Sequence, residues 1–229
     1  MPTRHALVFD LDGTLIDSAP DLLAALNRVL AEEDLPPVAL GDVKLMVGDG
    51  AAKLVERGFT LAGSKGAGMQ PDAARLGPLT DRFVGYYEAV VADQTRPFPG
   101  VPETLAHLAE AGYRLGVCTN KPAGPARDVL AALDLLGFFA VVHGGDSFPV
   151  RKPDPGHLHG TLAALAADHG TGVMIGDSPV DVATARAAGT PVIVHAHGYA
   201  RVPVAELGAD AVLEDFAALP GLLRQAPFS

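Results

Sequence analysis

The sequence has a single cysteine, Cys118, and carries little positive charge. One cysteine cannot form an internal disulfide framework, which is typical of proteins kept in a reducing cytoplasm. Against 17 Lys and Arg residues stand 27 Asp and Glu residues, so the formal net charge is −10. Proteins that bind nucleic acid use a surplus of positive charge to contact the phosphate backbone. We therefore expect a cytoplasmic protein that does not bind nucleic acid.

Long apolar runs are also missing, although 48% of the residues are hydrophobic. No run approaches the roughly 18 apolar residues of a membrane-spanning helix. The opening stretch, MPTRHALVFD, lacks the apolar segment of a signal peptide. We therefore expect no membrane partner, and the 229 residues suit one large domain or a domain with a smaller insert.

Short apolar runs alternate with helical stretches over most of the chain. The runs that resemble buried strands are Ala6–Phe9, Leu115–Cys118, Ala140–His143, Val173–Ile175, Val192–Val194 and Ala211–Leu213. The helical stretches between them are Val101–Ala111, Ala123–Leu135, Pro155–Asp168 and Pro179–Ala188. This alternation predicts an α/β fold with a doubly wound parallel, Rossmann-like sheet. Ligands of such sheets bind beyond the carboxyl ends of the strands, near the topological switch point.

Residues 16–94 break the alternation, because they show helical periodicity and no convincing strand. Ser18 to Asp21 forms a capping-box pattern, and apolar residues then follow at helical spacing. These residues are Leu22, Leu23, Leu26, Val29 and Leu30, and later Leu79, Phe83, Tyr86, Tyr87, Val90 and Val91. We predict an inserted α-helical cap domain at 16–94, placed as a lid beyond the first strand, and a core domain formed by 1–15 and 95–229.

Polar residues follow four of the predicted strands. In LVFDLDGTLID, residues 7–17, Asp10 and Asp12 follow the first strand. Positions i and i+2 of an extended chain share a face, and two carboxylates that close repel each other unless a cation lies near them. Mg²⁺ prefers oxygen ligands and suits this need. The other strand ends carry Thr119 and Asn120 in CTNK, Lys152 in VRKPDP, and Asp177 and Asp181 in MIGDSPVD.

Each of these motifs taken alone has a structural explanation. DLDG could be a simple turn, Thr119 or Asn120 could cap a helix, and Lys152 could be a solvated loop lysine. Asp177 could have no role other than to begin the following helix, since Asp-Ser-Pro is a good helix start. Together, however, the motifs place a hydroxyl, an ammonium and several carboxylates around one edge of the predicted sheet, which favours a common site.

The four motifs, in this order, resemble those of the haloacid dehalogenase superfamily, and within it the magnesium-dependent phosphatases. The first motif is Asp10-Leu-Asp12-Gly-Thr14, the second is Thr119-Asn120, the third is Lys152, and the fourth is Gly176-Asp177-Ser178 with Asp181. The resemblance covers essentially the whole chain, including the helical insert.

This resemblance implies a role for each motif residue. Asp10 is expected to be the nucleophile that forms an aspartyl-phosphate, and Asp12 the general acid and then the general base. Thr119, Asn120 and Lys152 are expected to bind the transferring phosphoryl group. Mg²⁺ is expected at the Asp10 and Asp177 carboxylates and the Asp12 backbone carbonyl, with Asp181 in a supporting position. Family dehalogenases lack the second aspartate, so Asp12 favours a phosphatase.

Residues 46–58, MVGDGAAKLVERG, are similar to the specificity loop of bacterial phosphoglycolate phosphatases. The matching residues are Val47, Gly48, Gly50, Leu54, Val55 and Arg57. The resemblance implies hydrolysis of a small phosphomonoester, 2-phosphoglycolate, with Lys53 and Arg57 as candidate substrate-binding cations. A solvated helix face is an equal alternative for either residue.

Other functions on the same fold remain open. They are a phosphatase for sugar phosphates, nucleotides or pyrophosphate, a phosphomutase resembling β-phosphoglucomutase, and a non-catalytic phospholigand-binding protein. The sequence leaves monomer and homodimer open. Cys118 is expected to be a small buried apolar residue, and the stretch HAHGY, residues 195–199, is expected to form a loop near the pocket.

Overall fold

The computed structural model of the chain describes residues 5–65 and 73–228. Residues 1–4, part of the stretch expected to lack a signal peptide, and residues 66–72, part of the expected cap, lie outside the described residues. The described residues form two compact units. One contains the chain up to Asp17 and from Arg96 onward, and the other contains Ser18–Thr95.

The described elements are numbered in chain order. The strands are β1 (Ala6–Phe9), β2 (Ile16–Asp17), β3 (Arg96–Pro97), β4 (Arg114–Cys118), β5 (Val141–His143), β6 (Gly172–Gly176), β7 (Val192–His195) and β8 (Ala211–Leu213). The α-helices are α1 (Ala19–Glu32), α2 (Leu40–Lys44), α3 (Ala51–Lys65), α4 (Ala73–Glu88), α5 (Val101–Glu110), α6 (Ala123–Ala132), α7 (Pro155–Ala164), α8 (Pro179–Ala187) and α9 (Leu219–Leu222).

The first unit is built on a parallel sheet with the strand order β5-β4-β1-β6-β7-β8 among the described residues. This order is that of a doubly wound Rossmann-like sheet. The chain adds β4 and β5 on one side of β1 and then β6, β7 and β8 on the other, so the topological switch point lies between β1 and β6. All residues of β1 are fully buried, because helices cover both faces of such a sheet. The predicted α/β fold class is confirmed.

The register of the sheet places the motif residues at the carboxyl ends of the parallel strands, which we call the sheet edge. Phe9, the last residue of β1, is paired with Val117 of β4 on one side and Ile175 of β6 on the other. Parallel strands end at a common edge, so the residues that follow these three strands leave the sheet side by side. This edge is where Asp10, Thr119 and Asp177 lie.

Helix ends differ from the sequence prediction by several residues. α7 ends at Ala164 instead of Asp168, because Ala166 adopts a left-handed conformation with φ 50° that turns the chain back. α8 begins as expected after Ser178, whose hydroxyl accepts a hydrogen bond from the Asp181 N–H in a capping box.

The second unit consists of α1–α4 and has its own apolar core. α1 presents apolar residues at intervals of three and four positions, which gives it one buried face. That face packs with residues of α3 and α4 in a cluster that includes Leu26, Val29, Leu30, Val55, Phe59 and Phe83. Among the described residues, no helix combines the length and apolar character that crossing a membrane requires.

Three details of the predicted insert are wrong. Ser18 is the N-cap residue of α1 but makes no side-chain cap hydrogen bond. The Asp21 carboxylate accepts hydrogen bonds from the backbone of Gln94 and from Thr95 instead.

Val90 and Val91 lie beyond the end of α4 and are 42% and 47% exposed. Residues 16–94 were expected to contain no strand, but Ile16–Asp17 forms a short antiparallel pair with Arg96–Pro97. A strand of two residues is too short to show a periodicity in the sequence.

A fully buried histidine makes the stability of the first unit sensitive to acid. His157, in α7, has a pKa lowered from 6.5 to about 4 by burial and then by the positive charge of Lys152. The unfolded chain therefore binds this proton more readily than the folded chain between these values, so stability falls as the pH drops from 6.5 towards 4. A shift of this size corresponds to roughly 3 kcal/mol.

We predict that His157→Leu removes this contribution. We measure the unfolding free energy of both proteins by urea denaturation. Between pH 6.5 and 4 the wild type should lose up to ~3 kcal/mol more than the variant. Taking the difference cancels the contributions of other titrating groups. Curves that stay parallel over this range would contradict the assignment.

Candidate active site

Asp10 follows β1 at the centre of the sheet edge and is 6% exposed. Its backbone N–H donates to the carbonyl of Ile175 at 2.8 Å, which continues the sheet pairing by one residue and fixes the direction of the chain. Asp10 Oδ1 lies 2.9 Å from Lys152 Nζ in an ion pair. Apart from this ion pair, Oδ1 has no hydrogen-bond partner among the described residues.

Lys152 bridges two carboxylates. Its Nζ donates to Asp181 Oδ1 at 2.7 Å and lies 2.9 Å from Asp10, while its side chain is only 1% exposed. Burial alone would lower the pKa of Lys152, but the two carboxylates outweigh burial and raise it. Lys152 is therefore a permanently charged ammonium beside the Asp10 carboxylate.

Asp181 has both oxygens occupied by protein donors. Its Oδ1 accepts from Lys152, and its Oδ2 accepts from the backbone N–H groups of Asp177 and Ser178 and from the Ser178 hydroxyl. A carboxylate engaged in this way holds its neighbours in place. The supporting position of Asp181 at a metal site stays a prediction.

Each carboxylate oxygen of Asp177 accepts a hydrogen bond from the protein. Its Oδ1 accepts from the Thr14 hydroxyl at 3.0 Å, and its Oδ2 accepts from the Tyr199 backbone N–H at 2.6 Å. Gly13 makes this close approach possible, because it has a φ of +90° and an added Cβ would lie 2.3 Å from Asp177 Oδ2. The first and fourth motifs therefore interlock at the switch point of the sheet.

Asp10, Asp177 and Asp181 together form a buried carboxylate cluster that can hold a metal ion, since ligand oxygens of all three lie within 4.8 Å of one another. The pKa of Asp10 is raised to about 6 by burial, with Lys152 opposing and Asp181 reinforcing the shift. The pKa of Asp177 is raised well above its usual value by burial and then by the charges of Asp181 and Asp10. Lys152 alone thus leaves the cluster short of positive charge.

Asp12 faces a different cation. Lys121 Nζ lies 3.2 Å from both carboxylate oxygens of Asp12. β1 ends at Phe9, so Asp10 and Asp12 lie beyond the strand, and their expected placement on one face stays a prediction. The structure thus gives the two aspartates separate ammonium partners.

The second motif is a tightly packed loop between β4 and α6. The Thr119 hydroxyl accepts a hydrogen bond from the Lys121 N–H, and the Asn120 side chain donates to the Lys152 carbonyl at 3.0 Å. Gly144 lies against this loop, and an added Cβ would be 2.2 Å from the Ala123 nitrogen. Thr119 and Asn120 are buried, at 2% and 9% exposure, and do not serve as side-chain caps of α6.

The two predicted cap cations belong to the second unit and have local partners. Arg57 pairs with Asp49 at 2.6 Å and donates to the Met46 carbonyl at 3.0 Å, which fastens the Gly-bracketed loop to α3. Lys53 pairs with Glu56 at 2.6 Å and is 54% exposed. Their contact with a substrate stays a prediction.

Sequence reasoning missed three residues of this edge. Thr14 stood inside the first motif without a role, Lys121 stood inside CTNK without a role, and Tyr199 lay in the HAHGY stretch. The Tyr199 hydroxyl also donates to Asp17 at 2.6 Å. Only Lys121 carried a usable signal, because a lysine next to two motif residues is a candidate anion ligand.

Cys118 lies on β4 and is fully buried, as expected. Burial raises the pKa of its thiol to about 12. A thiol that stays protonated is a poor nucleophile, so Cys118 takes no part in the chemistry of this edge.

A doubly wound sheet with a cluster of buried aspartates at its switch point and a buried ammonium paired with two of them is the arrangement of a phosphoryl-transfer hydrolase. Comparison with known proteins agrees. The model of the haloacid dehalogenase-like hydrolase family matches residues 7–195. The chain belongs to this family.

Relatives and solved structures share nearly the full length. The chain is 49% identical over 214 residues to a phosphoglycolate phosphatase of Rhodospirillum rubrum, covering 93% of this chain and 88% of the relative. It is 47% identical over 225 residues to a phosphoglycolate phosphatase of Caulobacter vibrioides, covering 96% and 93%. A crystal structure described as a predicted phosphoglycolate phosphatase from Haemophilus somnus superposes with a TM-score of 0.91 at 30% identity, covering 98% of this chain and all of the other.

The charge deficit of the carboxylate cluster predicts that a divalent cation stabilises the fold. Without a cation, raised carboxyl pKa values mean that the folded state binds more protons between pH 3.8 and about 6, so stability falls as the pH rises through this range. A cation replaces the proton, so its effect should grow with pH. At about 100 times Kd the gain is ~2.7 kcal/mol, or roughly 5–10 °C in Tm.

Thermal unfolding with Mg²⁺ or EDTA at pH 5 and pH 7.5 measures this effect. Asp177→Asn should lose most of the gain, whereas Asp81→Asn, which changes an exposed aspartate of α4, should keep it. A gain that is equal in both variants would place the cation elsewhere.

Proposed function

We propose that this protein hydrolyses 2-phosphoglycolate to glycolate and phosphate with Mg²⁺, through an aspartyl-phosphate on Asp10. The enzyme class behind this proposal, a phosphoric monoester hydrolase, is confirmed by the family and by its relatives. The observation that carries the substrate is the relationship to proteins named phosphoglycolate phosphatase at 49% and 47% identity over nearly the whole chain.

The residues at the sheet edge fit a magnesium ion. The donors are carboxylate oxygens, which Mg²⁺ prefers, and the raised pKa values of Asp10 and Asp177 indicate a missing positive charge. Asp10, Asp177 and the Asp12 backbone carbonyl would hold the ion, while Asp181 stays engaged with Lys152. When bound, Mg²⁺ supplies positive charge that keeps the carboxylates ionised and offsets the charge of the phosphoryl group.

The first step transfers the phosphoryl group to the protein. An Asp10 carboxylate oxygen attacks phosphorus, and the bond between phosphorus and the ester oxygen breaks as the new bond forms. Lys152 offsets the negative charge of the nucleophile and the phosphate. Asp12 gives its proton to the departing alkoxide, which leaves as an alcohol.

The second step releases phosphate. Asp12, now a carboxylate, takes a proton from a water molecule that attacks phosphorus, and the bond between phosphorus and Asp10 breaks. The products are inorganic phosphate and the original Asp10 carboxylate, with Asp12 protonated again. The Thr119 hydroxyl and the backbone of Asn120 bind the phosphoryl oxygens in both steps.

A substrate panel tests the proposed function. We expect kcat/KM for 2-phosphoglycolate with Mg²⁺ to exceed those for sugar phosphates, nucleotides, p-nitrophenyl phosphate and pyrophosphate by at least about a hundredfold, or ~2.7 kcal/mol. Slow and even turnover of the whole panel would remove the substrate while leaving the phosphatase chemistry. Formation of an isomeric sugar phosphate in place of free phosphate would indicate a mutase.

Replacing each aspartate of the first motif in turn by asparagine separates the two steps. p-Nitrophenolate leaves without needing a proton, so Asp12→Asn should still transfer phosphate from p-nitrophenyl phosphate to Asp10 but hydrolyse the intermediate slowly. Rapid-mixing measurements should therefore show a burst of p-nitrophenol close to one per active site. Steady turnover of an alkyl phosphate should fall by about 10²–10⁴-fold.

Asp10→Asn is the matched variant, because it removes the nucleophile and changes the side chain in the same way. It should show neither burst nor turnover, while circular dichroism shows a folded protein. Residual turnover of Asp10→Asn comparable with that of the wild type would contradict the covalent mechanism.

A further inference from the structure

Lys121 places a largely buried ammonium beside the proposed acid–base residue. Its Nζ lies 3.2 Å from both oxygens of Asp12, and its side chain is 7% exposed. Lysine is rarely buried to this extent unless it is paired, because an ammonium loses its hydration on burial. Asp12 supplies the pairing that this burial requires, and it fixes the ammonium next to the proposed acid–base group.

The backbone of Lys121 is anchored in the phosphate-binding loop. Its N–H donates to the Thr119 hydroxyl at 3.2 Å, and its carbonyl accepts from the Gly145 N–H at 2.9 Å. The residue directly before it, Asn120, is fixed to the Lys152 carbonyl. Lys121 thus belongs to the same hydrogen-bonded loop as the groups proposed to bind the phosphoryl oxygens.

We propose that Lys121 binds the carboxylate of the leaving group and so selects 2-phosphoglycolate among phosphomonoesters. This inference rests on the proposed function. Asp12 must reach the ester oxygen to protonate it, so a group in contact with the Asp12 carboxylate lies next to the leaving group. In 2-phosphoglycolate a single methylene separates the ester oxygen from the substrate carboxylate. The Lys121 ammonium has three donors, so it can bind Asp12 and that carboxylate together.

The other cations considered for this role are engaged elsewhere. Lys152 is held between Asp10 and Asp181. Arg57 is paired with Asp49. Lys53 forms an exposed ion pair, and such pairs contribute little binding free energy. Lys121 is the buried cation in contact with Asp12, and it belongs to the same compact unit as the nucleophile.

The test compares 2-phosphoglycolate with ethyl phosphate, which has an alkyl leaving group of similar size but no carboxylate. For Lys121→Met, kcat/KM for 2-phosphoglycolate should fall about 10- to 100-fold further than kcat/KM for ethyl phosphate, as expected for a lost charge-assisted hydrogen bond. The selective part of the loss should appear in KM, and inhibition by glycolate should weaken by a similar factor. Lys121→Arg should restore part of the selectivity.

Both substrates are measured on one preparation, so a loss of folded protein cancels from their ratio. Lys121→Gln, which keeps a donor but removes the charge, gives the same comparison if Lys121→Met does not fold. Lys53→Met tests the competing cation in the same way, and its selective loss is compared with that of Lys121→Met.

The outcomes separate the two proposals. A wild-type enzyme with equal kcat/KM for both substrates overturns the proposed function and the role of Lys121 together. A selective wild type whose ratio survives in Lys121→Met and Lys121→Gln overturns only the role of Lys121. An equal loss for both substrates assigns Lys121 to holding Asp12 in place, and a selective loss in Lys53→Met alone assigns recognition to the helical unit.

Discussion

The buried Lys152 ammonium determines much of the organisation of the sheet edge. It is enclosed between Asp10 and Asp181 at 1% exposure, and a buried charge without such partners would cost several kcal/mol. Asp181 in turn accepts hydrogen bonds from the start of α8, so the third and fourth motifs are bound to one another through this one side chain. Removing the ammonium would leave Asp10 and Asp181 without their shared cation, so the two carboxylates would repel each other.

A second constraint is the excess of negative charge that remains. Asp177 is fixed by Thr14 and by the Tyr199 N–H, and it cannot turn away from Asp10 without breaking both bonds. The protein thus holds carboxylates close together at the expense of raised pKa values. Such preorganisation suits a divalent cation and a phosphoryl group, because neither then requires the site to rearrange.

Asp12, the proposed acid–base residue, is not a member of this cluster and has its own cation. Lys121 contacts Asp12, whereas Lys152 contacts Asp10. Each of the two carboxylates therefore has a positive charge of its own beside it. Under the role proposed for Lys121, selectivity for a small acidic substrate arises within the loop that holds Thr119 and Asn120.

The α/β class and the six strands of the parallel sheet could be predicted from the sequence, because buried strands and helices have periodicities that short segments display. Asp10, Asp12, Thr119, Lys152 and Asp177 could be named from their places after strands. Tertiary structure decided which of them pair. The contacts of Lys121 with Asp12 and of Tyr199 with Asp177 join residues far apart in the chain. Such contacts depend on strand order and loop direction, which local sequence does not encode. For the same reason Asp21, expected to cap its own helix, binds Gln94 and Thr95 instead.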